Sequence, residues 1–288
     1  MSFNDDARID PSRVSRRGRN TSIAAGGGGL LIVGLFVLSQ LLGVDLTGLA
    51  PAGNQQQGSD ESLAQCTTGA AANESVDCRM AAAADSLDTY WAEAYGSGYR
   101  STQIVLFSGQ TSTGCGGATS AVGPFYCPPD EQIYLDTAFY DDLRNRFGSS
   151  GGPLAEMYVV AHEWGHHIQN VAGIMNGLDL QDTGPTSDAV RLELQADCFA
   201  GSWVGAASTT ADEAGTPFLA PVTDAQIRDA LSAASAVGDD RIQEATTGQV
   251  SPERWTHGSS EMRQRWFLVG FNDGPNACST FEVNGRDL

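Results

Sequence analysis

The 288-residue chain contains no lysine. All 16 of its basic residues are arginine, set against 35 Asp and Glu, for a formal charge of −19. Nucleic-acid binding needs basic patches to neutralise phosphates, so a chain this acidic is not expected to take a nucleic-acid partner. Histidine is also scarce, with four residues in all. None of the six cysteines lies in a CxxC pair, which removes the short spacing that a cysteine-rich zinc site needs. Their even number suits disulfides in a chain that leaves the cytosol. The most local pairing is Cys66–Cys78, Cys115–Cys127 and Cys198–Cys278.

Charge is missing altogether from Asn20 to Val44, within which lies GGGGLLIVGLFVLSQLLGV. About 20 apolar residues in a helix span roughly 30 Å, the thickness of a bilayer core. Arg8, Arg13, Arg16, Arg17 and Arg19 precede the run and acids follow it, a bias that keeps the N-terminus in the cytoplasm. The expected organisation is a cytoplasmic basic tail at 1–21, a transmembrane signal anchor at 22–44, a flexible stalk at 45–65 and an extracytoplasmic domain at 66–288. The expected location is the cell membrane, crossed once. A cleaved signal peptide is the rival reading, because Ala50-Pro51-Ala52 has the A-x-A form. A buried core helix is the plainest one, against which stands the lack of any polar face.

Periodicity predicts helices over 79–95, from Pro153 to about Val171, from Thr186 to about Ala207, over Ala225–Val237 and over Ser259–Phe271. QIVLF (103–107) and QIYL (132–135) read as strands. The expected class is α+β, mainly helical with a small sheet.

Three of the four histidines fall in MYVVAHEWGHHIQNV, Met157–Val171. On a helix His162 and His166 are one turn apart on one face, so two imidazoles can share one ion. Glu163 projects about 100° away, beside such an ion rather than onto it, where it can accept a proton from water. His167 is turned too far to join and reads as a packing histidine. An exposed polar turn is the plain alternative, but the preceding Tyr158-Val159-Val160-Ala161 marks a buried helix. Gly165 leaves room for a close neighbour.

Such a site needs a third protein ligand. In metzincins it is a histidine six residues past the second, and Ala172 stands there. In gluzincins it is a glutamate on a later helix, and SDAVRLELQADCFAGSW offers Glu193. Asp197 lies one turn on. Two acids at that spacing repel and are costly to bury, unless zinc takes one and an imidazole N–H the other. A solvated acidic stripe is the alternative, though Leu192, Leu194, Ala196, Phe199 and Trp203 leave little polar face. His257, at the entrance to the last helix, is either a capping residue or a donor to the oxyanion of an acyl-transfer intermediate.

HEWGHHIQ, RLELQADCFAGSW and RWTHGSSEMRQRWF, in that order, resemble the bacterial putative neutral zinc metallopeptidase family over roughly 66–283. The resemblance implies an N-terminal membrane anchor and a single zincin-like (gluzincin-type) domain. It implies one Zn²⁺ per chain on His162, His166 and Glu193, with Glu163 as catalytic acid/base. The E-L-Q-A-D run is also similar to that of membrane-embedded gluzincins, whose first acid binds zinc and whose last orients a ligand histidine. Thr256, His257 and Arg263 match a T-H-x-x-x-x-x-R motif of that wider group, with Gly258 where proline is usual. The expected function is a membrane-anchored zinc endopeptidase acting on a peptide or protein, which lies extended along one of the two predicted strands. The alternative is a non-catalytic, zinc-containing envelope protein that binds or assembles partners.

Overall fold

The computed structural model describes residues 3–17 and 60–288. Its main sheet contains β1 (Val14–Arg17), β2 (Asp60–Ser62), β3 (Gln103–Phe107), β6 (Phe125–Cys127) and β7 (Gln132–Asp136), in the order β2-β1-β3-β7-β6. A hairpin of β4 (Gln110–Thr113) and β5 (Gly116–Thr119) extends from the end of β3. The parallel strands β1, β3 and β7 form the centre, and β2 and β6 close the edges antiparallel. Ile104, Leu106, Ile133 and Leu135 point into the main core, while Val105, Phe107 and Tyr134 fill a smaller cluster on the other face. Burial on both faces is why QIVLF and QIYL read as apolar runs rather than alternating strands.

Among the described residues eight helices pack around and beyond this sheet: α1 (Gly69–Glu74), α2 (Val76–Tyr95), α3 (Phe139–Asn145), α4 (Pro153–Val171), α5 (Asp188–Ala206), α6 (Asp224–Ala236), α7 (Asp239–Thr247) and α8 (Ser260–Asp273). The protein is thus a mainly helical α+β structure with a small mixed sheet. Pro153 occupies the first turn of α4, where its missing N–H costs nothing. Ser187 and Ser259 cap α5 and α8 through the N–H groups of Val190 and Met262. Three helices meet backbone to backbone. A Cβ on Gly165 of α4 would stand 2.9 Å from Ala196 Cα of α5. A Cβ on Gly270 of α8 would stand 1.8 Å from Cys198 O, and one on Gly201 of α5 1.9 Å from Phe267 O. These contacts fix the spacing of the helices that carry the polar centre described below. The three disulfides join the pairs expected, Cys66–Cys78, Cys115–Cys127 and Cys198–Cys278.

Two expectations change. Residues 3–17 are not a separate basic tail: Phe3, Ala7, Ile9 and Val14 are buried in the main core, and β1 is an inner strand of the sheet. Burying Phe3, Ile9 and Val14 contributes on the order of 2 kcal/mol each. The end of the expected stalk also joins the body, through β2 and the buried Leu63. Neither β3 nor β7 can take an extended substrate, because each is already paired on both sides. Of the two edge strands, β2 and β6, β6 is the one that lines the cleft described below. Among the described residues no helix is long and apolar enough to cross a membrane, and the expected anchor at 22–44 lies outside them.

Replacing Gly270 by alanine should cost at least about 3 kcal/mol, because the obstacle is main chain rather than a movable side chain. Equilibrium unfolding of the variant against the parent measures this.

Candidate metal centre

The face of α4 that carries His162 and His166 lies against α5, and Glu193 reaches across from that helix. His162 Nε2 is 3.1 Å from Glu193 Oε2 and His166 Nε2 is 3.3 Å from Glu193 Oε1. One ligand atom from each of the three residues fits within a 4.8 Å cluster. The predicted set converges from two helices distant in sequence.

The other ring nitrogens are held from behind. His162 Nδ1 donates to Asp197 Oδ1 at 2.9 Å. Asp197 is fully buried and is also gripped by Arg263, from Nε at 2.8 Å and a terminal nitrogen at 3.0 Å. Tyr158 donates its hydroxyl to the same carboxylate. Arg263 thereby matches the charge of a carboxylate that could not otherwise stay buried. His166 Nδ1 donates to Gln169 Oε1 at 2.8 Å. Gln169 is fixed by donating to Leu192 O at 2.7 Å and Gln195 Oε1 at 3.1 Å, and Gln195 in turn donates to Cys278 O at 2.8 Å. Both imidazoles therefore carry a proton at Nδ1 and turn Nε2 toward Glu193. Such outer contacts set the ring orientation and basicity of a metal ligand.

The electrostatics suit a cation. Burial opposes a charge on His162, but the carboxylates of Asp197 and Glu193 outweigh it and push its pKa up to about 10. Burial likewise opposes a charge on Glu193, yet the three nearby histidines hold it well below the usual carboxylate range. The point where the three ligand atoms meet thus favours positive charge, and a metal ion there would take the place of a proton on His162 Nε2. Two imidazoles, both oriented from behind, and one carboxylate form a donor set that fits zinc.

The site opens into a cleft of about 390 Å³ lined by the three ligands, Glu163, His257 and Arg263. Glu163 is buried beside the ligands, as the helix geometry predicts. His257 lies across the cleft and is half-exposed. The Asp239 carboxylate accepts the backbone N–H groups of Thr256, His257 and Gly258 at 2.6–3.0 Å and lies 3.3 Å from His257 Nδ1. Desolvation lowers the pKa of His257, but Glu193 and Asp239 more than reverse this and raise it. Gly258 has φ +85°, a left-handed backbone that proline cannot adopt. Its departure from the motif therefore goes with a differently built loop. His167 is no ligand: its ring nitrogens meet Tyr126 Oη at 3.1 Å and Arg100 O at 2.6 Å.

Sequence reasoning missed Tyr158, Gln169, Gln195 and Asp239. Two of them left a signal on the helix itself, Gln169 one turn beyond His166 and Tyr158 one turn before His162. The others act across long loops or through main chain.

Two histidines and a glutamate around one point, with a second glutamate beside them in an open cleft, form a group that could hold a metal ion and that carries the HExxH pattern. The chain belongs to the putative neutral zinc metallopeptidase family, whose model matches residues 3–281. It is 53% identical over 223 residues to the uncharacterized protein Rv2575 of Mycobacterium tuberculosis, covering 77% of this chain and 76% of that one. It is 36% identical over 288 residues to the uncharacterized protein YpfJ of Escherichia coli K12, covering 96% and 94% respectively. No solved structure matches the chain.

Zinc added to the metal-free protein near pH 7.5 should release about one proton per chain, from His162. Calorimetry in buffers of different ionisation enthalpy reads this directly. Asp197→Asn should weaken zinc binding by about 10- to 100-fold. Leaving Arg263 unpaired in the interior should also cost about 3 kcal/mol, measured by chelator competition and unfolding.

Proposed function

We propose that the chain is a membrane-attached endopeptidase of the gluzincin type, working outside the cytoplasm with one Zn²⁺ on His162, His166 and Glu193. The observation that carries the reading is the convergence of Glu193 on both imidazoles with Glu163 beside them in a cleft open to solvent. When bound, zinc polarises the scissile carbonyl and lowers the pKa of water. Glu163 accepts a proton from the attacking water and passes it to the leaving amine. His257, fixed by Asp239 and biased toward its charged form by Glu193, donates to the developing oxyanion. Asp197 and Gln169 keep the ligand imidazoles aimed while charge builds up.

The substrate reading follows from the sheet. Phe125 and Tyr126 of β6 line the cleft, and the open edge of that strand can pair main chain to main chain with an extended peptide. Phe125, Phe139, Val237 and Ile242 give the cleft apolar walls despite the acidity of the chain as a whole. An apolar residue near the scissile bond suits these walls. The three disulfides support a place outside the cytosol.

Glu163→Gln should lower peptide cleavage by about 10³-fold or more while zinc stays near one per chain. His257→Ala should lower kcat by about 10²- to 10³-fold with KM little changed. Assays on unstructured peptides with matched metal analysis test both. Undiminished cleavage by the Glu163 variant would overturn the mechanism. A zinc-loaded parent that cleaves nothing would favour a binding module instead.

A further inference from the structure

His167 follows the ligand His166 directly, yet its side chain leaves α4 about 100° further round and meets the sheet instead of the metal centre. It is fully buried. Its Nε2 lies 2.6 Å from Arg100 O, and a carbonyl only accepts, so Nε2 carries a proton. In the neutral ring Nδ1 is then an acceptor, and Tyr126 of β6 donates its hydroxyl to it at 3.1 Å. This is the opposite tautomer from that of His162 and His166. Asn170, one turn further along α4, donates from Nδ2 to the same hydroxyl oxygen at 2.9 Å. The hydroxyl thus gives one hydrogen bond and takes another, both on α4. The other two residues of β6 are fastened elsewhere. Phe125 stacks on Tyr134 with ring centres 5.2 Å apart, and Cys127 is bonded to Cys115 of the hairpin. A three-residue strand with one neighbour has little pairing to hold it, and here each side chain has its own anchor. Apolar side chains could fill the space between α4 and β6 at less desolvation cost. Buried hydrogen bonds add a fixed distance and angle, which packing alone does not.

We propose that His167, Asn170 and Tyr126 are positioning residues that set the distance between the β6 edge and the metal centre, so that a peptide paired on β6 brings its scissile carbonyl to the point where His162, His166 and Glu193 meet. The inference rests on the peptidase reading and deepens it by fixing where the substrate strand runs. Phe125 and Tyr126 line the same cleft as the three ligands. A strand added to β6 would run about 4.8 Å beyond it. The reaction needs its atoms within roughly 3–3.5 Å of each other, and an error of about 1 Å can cost on the order of 100-fold. Strand and ligands must therefore keep a fixed separation. One stretch of α4 performs both tasks: His166 faces Glu193, and its neighbour His167 holds the strand. Because the two side chains leave adjacent residues of one buried helix, ligands and strand share a single rigid reference. The substrate class is an extended segment of several residues, since a shorter one could reach the ligands without lying along β6.

The test measures binding to the full zinc-loaded chain with two probes that share one central phosphinate. The first is a blocked phosphinic dipeptide, too short to lie along the strand. The second is an extended phosphinic octapeptide with apolar residues beside the phosphinate. The parent should bind the octapeptide more tightly than the dipeptide. In Tyr126→Phe the ring stays and the hydroxyl goes. That variant should bind the octapeptide about 10-fold more weakly, because the two ends of the probe no longer engage together. Its zinc content and dipeptide affinity should stay within about twofold of the parent's. Asn170→Ala should show the same split. His167→Gln, which keeps a donor and an acceptor, should retain more octapeptide affinity than His167→Ala. A merely structural role predicts that both probes weaken together, or neither, and either result overturns the proposal. An octapeptide that binds the parent no better than the dipeptide overturns it as well. A parent that shows the split with its variants but cleaves no peptide would sink the peptidase reading and leave the positioning role standing.

Discussion

The centre of this molecule is held by one buried carboxylate. Asp197 has no exposure to solvent, and three groups from two other helices meet it: His162 and Tyr158 of α4 and Arg263 of α8. An isolated carboxylate at that depth would protonate or drive the helices apart. Arg263 keeps it charged, and its charge fixes the tautomer of His162. The glycine contacts belong to the same constraint, since α4, α5 and α8 reach this geometry only where Gly165, Gly201 and Gly270 let main chain touch main chain. The packing that excludes a single methyl group also sets an imidazole at the right place and angle.

The second imidazole is held in a different way. His166 is aligned by a chain of neutral amides, Gln169 and Gln195, that ends on main chain at Cys278. The two ligands of α4 thus differ in their backing, one ionic and one neutral. The carboxylate behind His162 raises the basicity of that ring, while the neutral amides behind His166 spare the site a second buried charge.

Much of the centre was legible in the sequence because helix geometry is local. The spacing of His162, Glu163 and His166 fixes their relative directions once α4 exists, and the apolar YVVA before them marks that helix as buried. Glu193 and Asp197 were legible for a different reason, being two acids one turn apart on a helix with little other polar surface. Asp239 was hidden because it works through three backbone N–H groups, which no side-chain pattern announces. β1 was hidden because VSRR has too few apolar residues to read as a strand, and Arg16 and the preceding Arg13 find Asp77 and Asp88 only after the chain has folded. β6 was missed because three residues are too few to show a period.

The Gln169–Gln195 chain has a bearing on how the protein matures. Its last anchor, Cys278, lies near the C-terminal end and is tied by a disulfide to Cys198, the neighbour of Asp197. Arg263 also arrives late, long after α4 has been synthesised. A nascent chain would therefore present its histidine pair before either ring had its support, and would complete the site only once Arg263 and Cys278 had been made and Cys278 oxidised. The order of synthesis itself delays a fully formed centre until these later segments have folded back onto α4.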